Sequence, residues 1–415
     1  MADLRDGRSG AVRAGSLATL GGGRVPRRGD DLARSEVVPG GVLAWADGLV
    51  TYAGPADGWR GGPVRDLGPV TIVPGFVDCH THVPFFGWRA EEYEARLSGR
   101  TYRDLHGEGG IYRSARMIAE ASDEEVISFC RPLLGEMLAH GTTAVELKTG
   151  YGLSVEAELR LARLARRLSD LAEQTCTVTL LACHAVPPGM AREDWVRQAC
   201  QELIPAAASE GLVDAVDVYV EDIAFSVDDL RAVAEAARAA GLPVRCHADQ
   251  MGDSGATEAA VALGARSADH LNHTGPAGVA ALGGAGATVA TLLPTSTFTL
   301  RAQPPPVRGL LGSGAAVAIA SDFNPGTSPV LSMPEVIAMA CTLYGLPPPT
   351  ALVAATANPA WVLGLSDRLG TLEPGKRADF VVLAAEDFRS VPYRPGHNPV
   401  AETWIGGRLV SGHSG

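Results

Sequence analysis

Long apolar runs are missing from this chain. No window reaches the length of a membrane span, and the arginine-bearing N-terminus (Arg5, Arg8, Arg13) has no apolar core of signal-peptide length, so a cytoplasmic protein is expected. Paired cysteines are missing as well. The seven thiols, Cys79, Cys130, Cys176, Cys183, Cys200, Cys246 and Cys341, are odd in number, scattered and without a C-x-x-C pair, which excludes a disulfide framework and suits a reducing compartment. Positive charge is scarce: the net charge of -12 argues against a nucleic-acid partner, though not against a small anionic substrate in a local basic pocket. Hydrophobic residues make up 46% and charged residues 20%, which excludes a disordered chain. With 415 residues there is room for one large domain, a smaller one and an enclosed site.

What is present is a repeat of buried-strand patterns. Apolar, β-branched runs occur at Ile72 to Val77, Thr143 to Lys148, Val178 to His184, Ala215 to Val220, Pro243 to His247, Arg266 to His270, Ala287 to Leu293 and Ala316 to Asp322. Helical stretches separate them, clearest at Val155 to Leu168 and Val227 to Ala240. Eight β/α units predict an α/β fold, a (β/α)8 TIM-type barrel over residues 73–368, whose site forms at the C-terminal ends of the strands. Both chain ends read differently. Asp47-Gly48 and Gly406-Gly407 each sit between apolar runs, a hairpin signal, so 1–72 and 369–415 are expected to form one small composite β-sandwich domain.

The strand ends are chemically loaded. Val73 to His82 finishes an apolar run with imidazoles at i and i+2, which leave an extended chain on one face. Lys148, His184, Glu221 with Asp222, His247, His270 and Asp322 close or follow the later strands. Three imidazoles and a carboxylate suit a divalent transition metal with water in the open position, and His80, His82, His247 and Asp322 are read as the ligands of one ion, zinc or iron. Such a centre performs metal-assisted hydrolysis. Asp322 and His270 are the expected catalytic pair for moving the water's proton to a leaving nitrogen. His184 is read as a carbonyl or ring contact. Lys148 fits either a carbamylated bridge between two metals or a buried lysine tied to a carboxylate, and the second reading accompanies the single ion.

The runs VPGFVDCHTHVPFFGWRAEEYEARLSGRTY, GTTAVELKTGYGL, CHADQ, SADHLNH and ASDFNPGTSP, with the C-terminal LGTLEPGKRADFVVL, resemble the imidazolonepropionase family of the amidohydrolase superfamily. The H-x-H pair with a late Asp marks only the superfamily; KTGYGL and SDFNPGTSP are more specific. The resemblance implies hydrolytic opening of the ring of 4-imidazolone-5-propanoate to N-formimidoyl-L-glutamate, a step of histidine degradation. It also implies the same four metal ligands and substrate contacts from Arg89, Tyr151, His184, Gln250, Asn324, Gly326 and Thr327. The chemistry suits each residue type. Arg89 offers a planar fork to a carboxylate, Tyr151 a hydroxyl between two glycines, and the turn around Pro325 a backbone N–H or hydroxyl. Tyr102 is a further candidate beside Arg89.

Gln250 stands where some relatives of that family carry Glu, and others resemble this chain in having Gln. An amide cannot shuttle a proton, so base work falls to His270 and Asp322, with Gln250 bonding the ring and Asp249 pointing elsewhere. Trp88 replaces an acidic residue common in relatives, which bears on how Arg89 is held. An aminohydrolase acting on a nucleobase is the nearest rival, and a barrel that has lost catalysis is a rival of another class. Gln250 argues against the first and the complete ligand set against the second. A homodimer, the commonest symmetric assembly, is expected.

Overall fold

The computed structural model describes residues 9–100 and 109–412; Tyr102 lies outside them. Its centre is an eight-stranded parallel sheet in chain order: Phe76–Asp78, Thr142–Lys148, Thr175–Cys183, Ala215–Val220, Val244–Ala248, Ser267–His270, Val289–Leu292 and Val317–Ile319. Helices fill the connections, among them Val155–Leu171 and Val227–Ala239, whose first turns are capped by Ser154 and Ser226. The sheet curls into the expected barrel. Its first and last strands meet through side chains and one bridge: Thr81 pairs with Phe323, and the Asp78 carboxylate accepts from the Ser321 amide at 3.1 Å and its hydroxyl at 2.5 Å. The eighth strand ends at Ile319, earlier than the sequence pattern suggests: the Ala320 amide still donates to Leu292 O of the seventh strand at 3.2 Å, and Ser321 turns to the seam.

The apolar run at 72–77, read as one strand, is two. Thr71–Pro74 pairs antiparallel with Phe380–Leu383 in a six-stranded sheet, and Phe76–Asp78 pairs parallel with Thr142–Lys148 in the barrel. Gly75 turns the chain between them, its amide donating to Asp379 O at 3.0 Å while that of Phe76 donates to Gly141 O at 3.0 Å. The six-stranded sheet faces a four-stranded one built from Leu49–Pro55, Gly41–Ala46, Gly10–Arg13 and Arg65–Asp66. Trp45, Phe380 and Trp404 fill the space between them, Phe380 and Trp404 stacked at 5.2 Å. Both hairpins form where Asp-Gly and Gly-Gly predict them, with positive φ at Asp47, Gly48, Gly406 and Gly407. Among the described residues, no helix is long and apolar enough to cross a membrane.

A Cβ on Gly75 would overlap the Thr143 side chain. Gly75→Ala is therefore expected to lower stability by on the order of 1–3 kcal/mol, the usual cost of overpacking. Thermal unfolding checks this, and Thr143→Ala in the same chain should restore part of the loss.

Candidate metal centre and active site

His80 and His82 leave the end of the first strand side by side, ring centroids 5.3 Å apart and both buried. His247, on the fifth strand, lies 4.5 Å from His80 by the same measure, and His270, ending the sixth, 5.4 Å from His247. Asp322 comes from the seam after the eighth strand, with Oδ1 3.2 Å from His82 Nε2 and 3.6 Å from His80 Nε2. Both His270 (φ 77°) and Asp322 (φ 52°) have left-handed backbones that aim them inward, a strain typical of functional sites.

These residues fit a metal ion. Ligand atoms of His80, His82 and Asp322 lie within 4.8 Å of one another, as do those of His80, His247 and His270. Nε2 of His80 and of His247 are buried without a hydrogen-bond partner, and so is Nδ1 of His82; an unpaired buried nitrogen is costly unless something coordinates it. On the far side of two rings stands a carboxylate. Asp269 Oδ2 is 2.6 Å from His80 Nδ1, a hydrogen bond that sets that tautomer, and Asp217 Oδ2 is 3.1 Å from His247 Nδ1, a charge contact without hydrogen-bond geometry. Burial holds His80, His82 and His184 well below the ordinary imidazole range, and pushes His270 down to about 3. Neutral rings are what a metal requires. Burial also raises the Asp322 carboxyl, against the opposing pull of His270.

Lys148 takes the second of its two readings. Its ammonium is wholly buried between Glu146 (2.7 Å) and Asp217 (2.8 Å).

Most of the remaining sequence candidates surround one small cavity of about 30 Å³: Arg89, Tyr151, His184, Gln250, Asn324 and Thr327 line it together with His82, His247, His270 and Asp322. His184 stacks on His82 at 5.1 Å, and its Nδ1 lies 3.0 Å from Gly150 O. Tyr151 is set by a loop whose amides at Gly150, Gly152 and Leu153 donate to the buried Glu158 carboxylate. The Arg89 side chain is buried, with Nε and Nη1 unpartnered. Trp88 does not hold it: that ring packs with Phe85 at 5.3 Å, and among the described residues the nearest acid to Arg89 is Glu92 at 3.7 Å, beyond hydrogen-bond range. Gln250 also lines a wider vestibule of about 520 Å³, which makes it the wall between the two spaces.

Two candidates sit differently from a simple contact. Asn324 spends its amide on the loop, Oδ1 accepting from the Gly326 and Thr327 amides at 2.9 and 2.7 Å and Nδ2 donating to Asp322 O at 2.7 Å. Gly326 is not on the cavity wall; a Cβ there would overlap the Arg89 guanidinium, so its bareness makes room for that side chain. Asp249 points away, as expected, its carboxylate taken up by Ser254, Thr257 and Thr274.

Sequence reasoning missed Tyr219 and Ile111, which also line the cavity, and the carboxylates Asp217 and Asp269. A signal existed for the acids. Each interrupts an apolar strand, where an ionisable residue needs a reason.

A metal-fitting barrel closed by a small β domain is the architecture of the amidohydrolase family, whose profile matches residues 71–410. Within it the chain belongs to the imidazolonepropionases. The imidazolonepropionase of Deinococcus radiodurans is 44% identical over 384 residues, 92% of this chain and 95% of the relative, and that of Rubrobacter xylanophilus is 42% identical over 398 residues, 94% and 95%. More distant structures share the fold: guanine deaminase of Escherichia coli has a TM-score of 0.73 at 18% identity, covering 98% of this chain and 100% of its own. A triazine hydrolase variant has a TM-score of 0.74 at 14% identity, covering 98% and 95%.

The buried neutral imidazoles have a stability consequence. His184 is held below its ordinary 6.5, so the unfolded chain takes up a proton that the native one refuses. Stability is then full above about pH 6.5 and falls as pH drops below it. The thermal midpoint of the metal-free protein should decline between about pH 7 and about pH 4.5, and more shallowly in His184→Asn; equal slopes would contradict the assignment.

Proposed function

We infer that the chain hydrolyses the ring amide of 4-imidazolone-5-propanoate to N-formimidoyl-L-glutamate, a step of histidine degradation, as an imidazolonepropionase. Support comes from one small cavity whose lining includes His82, His247 and Asp322 of the metal-fitting cluster and also Arg89, two of whose nitrogens have no hydrogen-bond partner among the described residues. A ring amide bearing a propanoate needs both. His80, His82, His247 and Asp322 would hold one divalent ion, zinc or iron. Bound there, such an ion supplies an acidified water and a polarised carbonyl.

The side chains supply the rest. Arg89 receives the propanoate as a planar fork and so orients the ring. Gln250, donor and acceptor but no acid, bonds the ring edge, while Tyr151 and His184 wall the opposite side. Asp322 and the neutral His270 take the proton of the attacking water and return it to the leaving nitrogen. Asn324 and Thr327 hold the turn that fixes Asp322, and Gly326 leaves space for Arg89. The working assembly is a homodimer in the cytoplasm, with a small molecule as its substrate.

Turnover of freshly generated 4-imidazolone-5-propanoate, followed as loss of ultraviolet absorbance, tests this. Metal-loaded wild type should consume it, Asp322→Ala should not, and Arg89→Ala should raise KM by about 10- to 100-fold, the worth of a charged hydrogen-bonded contact. Wild type that leaves the compound untouched would end the proposal. Gly326→Ala, which displaces the guanidinium without removing it, should raise KM in the same direction while kcat is largely kept; an unchanged KM would mean that Arg89 does not hold the substrate.

A further inference from the structure

Beneath the candidate metal centre runs a line of five ionisable side chains that neither the ligand set nor the substrate contacts include. Asp269 Oδ2 is 2.9 Å from Arg245 Nη2, and Arg245 Nη1 donates to Glu146 Oε1. Glu146 Oε2 is 2.7 Å from Lys148 Nζ, which is 2.8 Å from Asp217 Oδ2. None of the five is more than 1% exposed. The two ends of the line are the carboxylates beside His80 Nδ1 and His247 Nδ1, at 2.6 and 3.1 Å.

Charge alternates along the line: acid, base, acid, base, acid. Each member is surrounded by barrel interior, where an ion without a partner is costly, so each can keep its position only while its neighbours keep theirs. Glu146 is the middle member. It is anchored from two further directions, the Thr179 hydroxyl donating to its Oε1 at 2.5 Å and the Thr81 hydroxyl to its backbone oxygen at 2.5 Å. Thr81 stands between His80 and His82 in the chain.

We propose that Glu146 is a positioning residue for the metal: by joining Arg245 to Lys148 it couples the carboxylate behind His80 to the carboxylate behind His247, so that both imidazoles are oriented by one continuous ionic relay. This rests on the assignment of His80 and His247 as ligands. Two independent carboxylate–imidazole pairs, with Glu146 only neutralising the cations between them, are the alternative.

The two arrangements differ in how changes combine. The dissociation constant of Zn²⁺ from the full chain would be measured by competition with a chromophoric chelator. Glu146→Gln should raise it by about 10- to 100-fold, the usual effect of losing an outer partner of a metal ligand. Asp217→Asn and Asp269→Asn should combine to less than the product of their separate effects when Glu146 is present, and to the full product in the Glu146→Gln background. A Glu146→Gln protein that binds Zn²⁺ like wild type, or effects that multiply in both backgrounds, would overturn the proposal. Should Glu146→Gln not fold, Thr179→Val carries the test: it removes one hydrogen bond from Glu146 and no charge. It should weaken Zn²⁺ by a few-fold, ~1 kcal/mol or less, and an unchanged constant overturns the relay. Wild type that does not bind Zn²⁺ defeats the ligand assignment itself, a different outcome from wild type that binds and variants that do not differ.

Discussion

Holding ions inside an apolar barrel is the constraint on which this structure depends. The interior carries Glu146, Asp217, Asp269 and Asp322 as acids against Lys148 and Arg245 as bases, all of them buried. Low dielectric makes each unpaired charge expensive, so the three acids that face away from the pocket alternate with the two cations. That leaves one acid over in the line, and Asp322 adds another at the pocket side among neutral imidazoles. A divalent cation is the complement of that arrangement. Asp78, outside this group, solves its burial another way: its carboxyl is pushed up to about 7 and bonded to Ser321, where it closes the barrel seam.

The proton route follows from which groups remain available. Gln250 cannot exchange a proton, Asp249 is fully engaged by hydroxyls and an amide, and Lys148 is locked between two carboxylates. Besides the phenols of Tyr151 and Tyr219, the titratable acids and bases that line the cavity are a set of imidazoles and Asp322. His270 is the imidazole proposed for that role; it lines the cavity, is not among the four assigned ligands, and ends the strand beside that of His247. Burial keeps its ring neutral, so it does not begin with the proton.

Much of this was readable from the chain. Alternation of β-branched runs with Ala- and Leu-rich stretches predicts a parallel α/β sheet, the count of eight units points to a barrel, and the chemistry-bearing residues fell at the C-terminal strand ends, where a barrel builds its site. The Asp-Gly and Gly-Gly hairpins were equally plain. What could not be read was anything set by three-dimensional neighbours. The break at Gly75 left no mark, because Pro74-Gly75 within an apolar run looks like the start of a strand and not the exchange of one sheet for another. That the Asn324 amide would also brace its own loop, and that Gly326 would leave room for Arg89, were equally hidden. The line from Asp269 to Asp217 draws on four strands, and no local pattern links residues so far apart in sequence.

The strand Thr71–Pro74 has its partner Phe380–Leu383 more than three hundred residues later. Since a chain is made from its N-terminus at a limited pace, the first half of the small domain must wait, with an open strand edge, until nearly all of the barrel has been synthesised. The partner strand arrives only after the last metal-site residue, Asp322. Completion of the small sheet therefore acts as a receipt for the whole chain: a product that stops short keeps its edge exposed to proteases and chaperones, and only one that already contains every piece of the site can cover it.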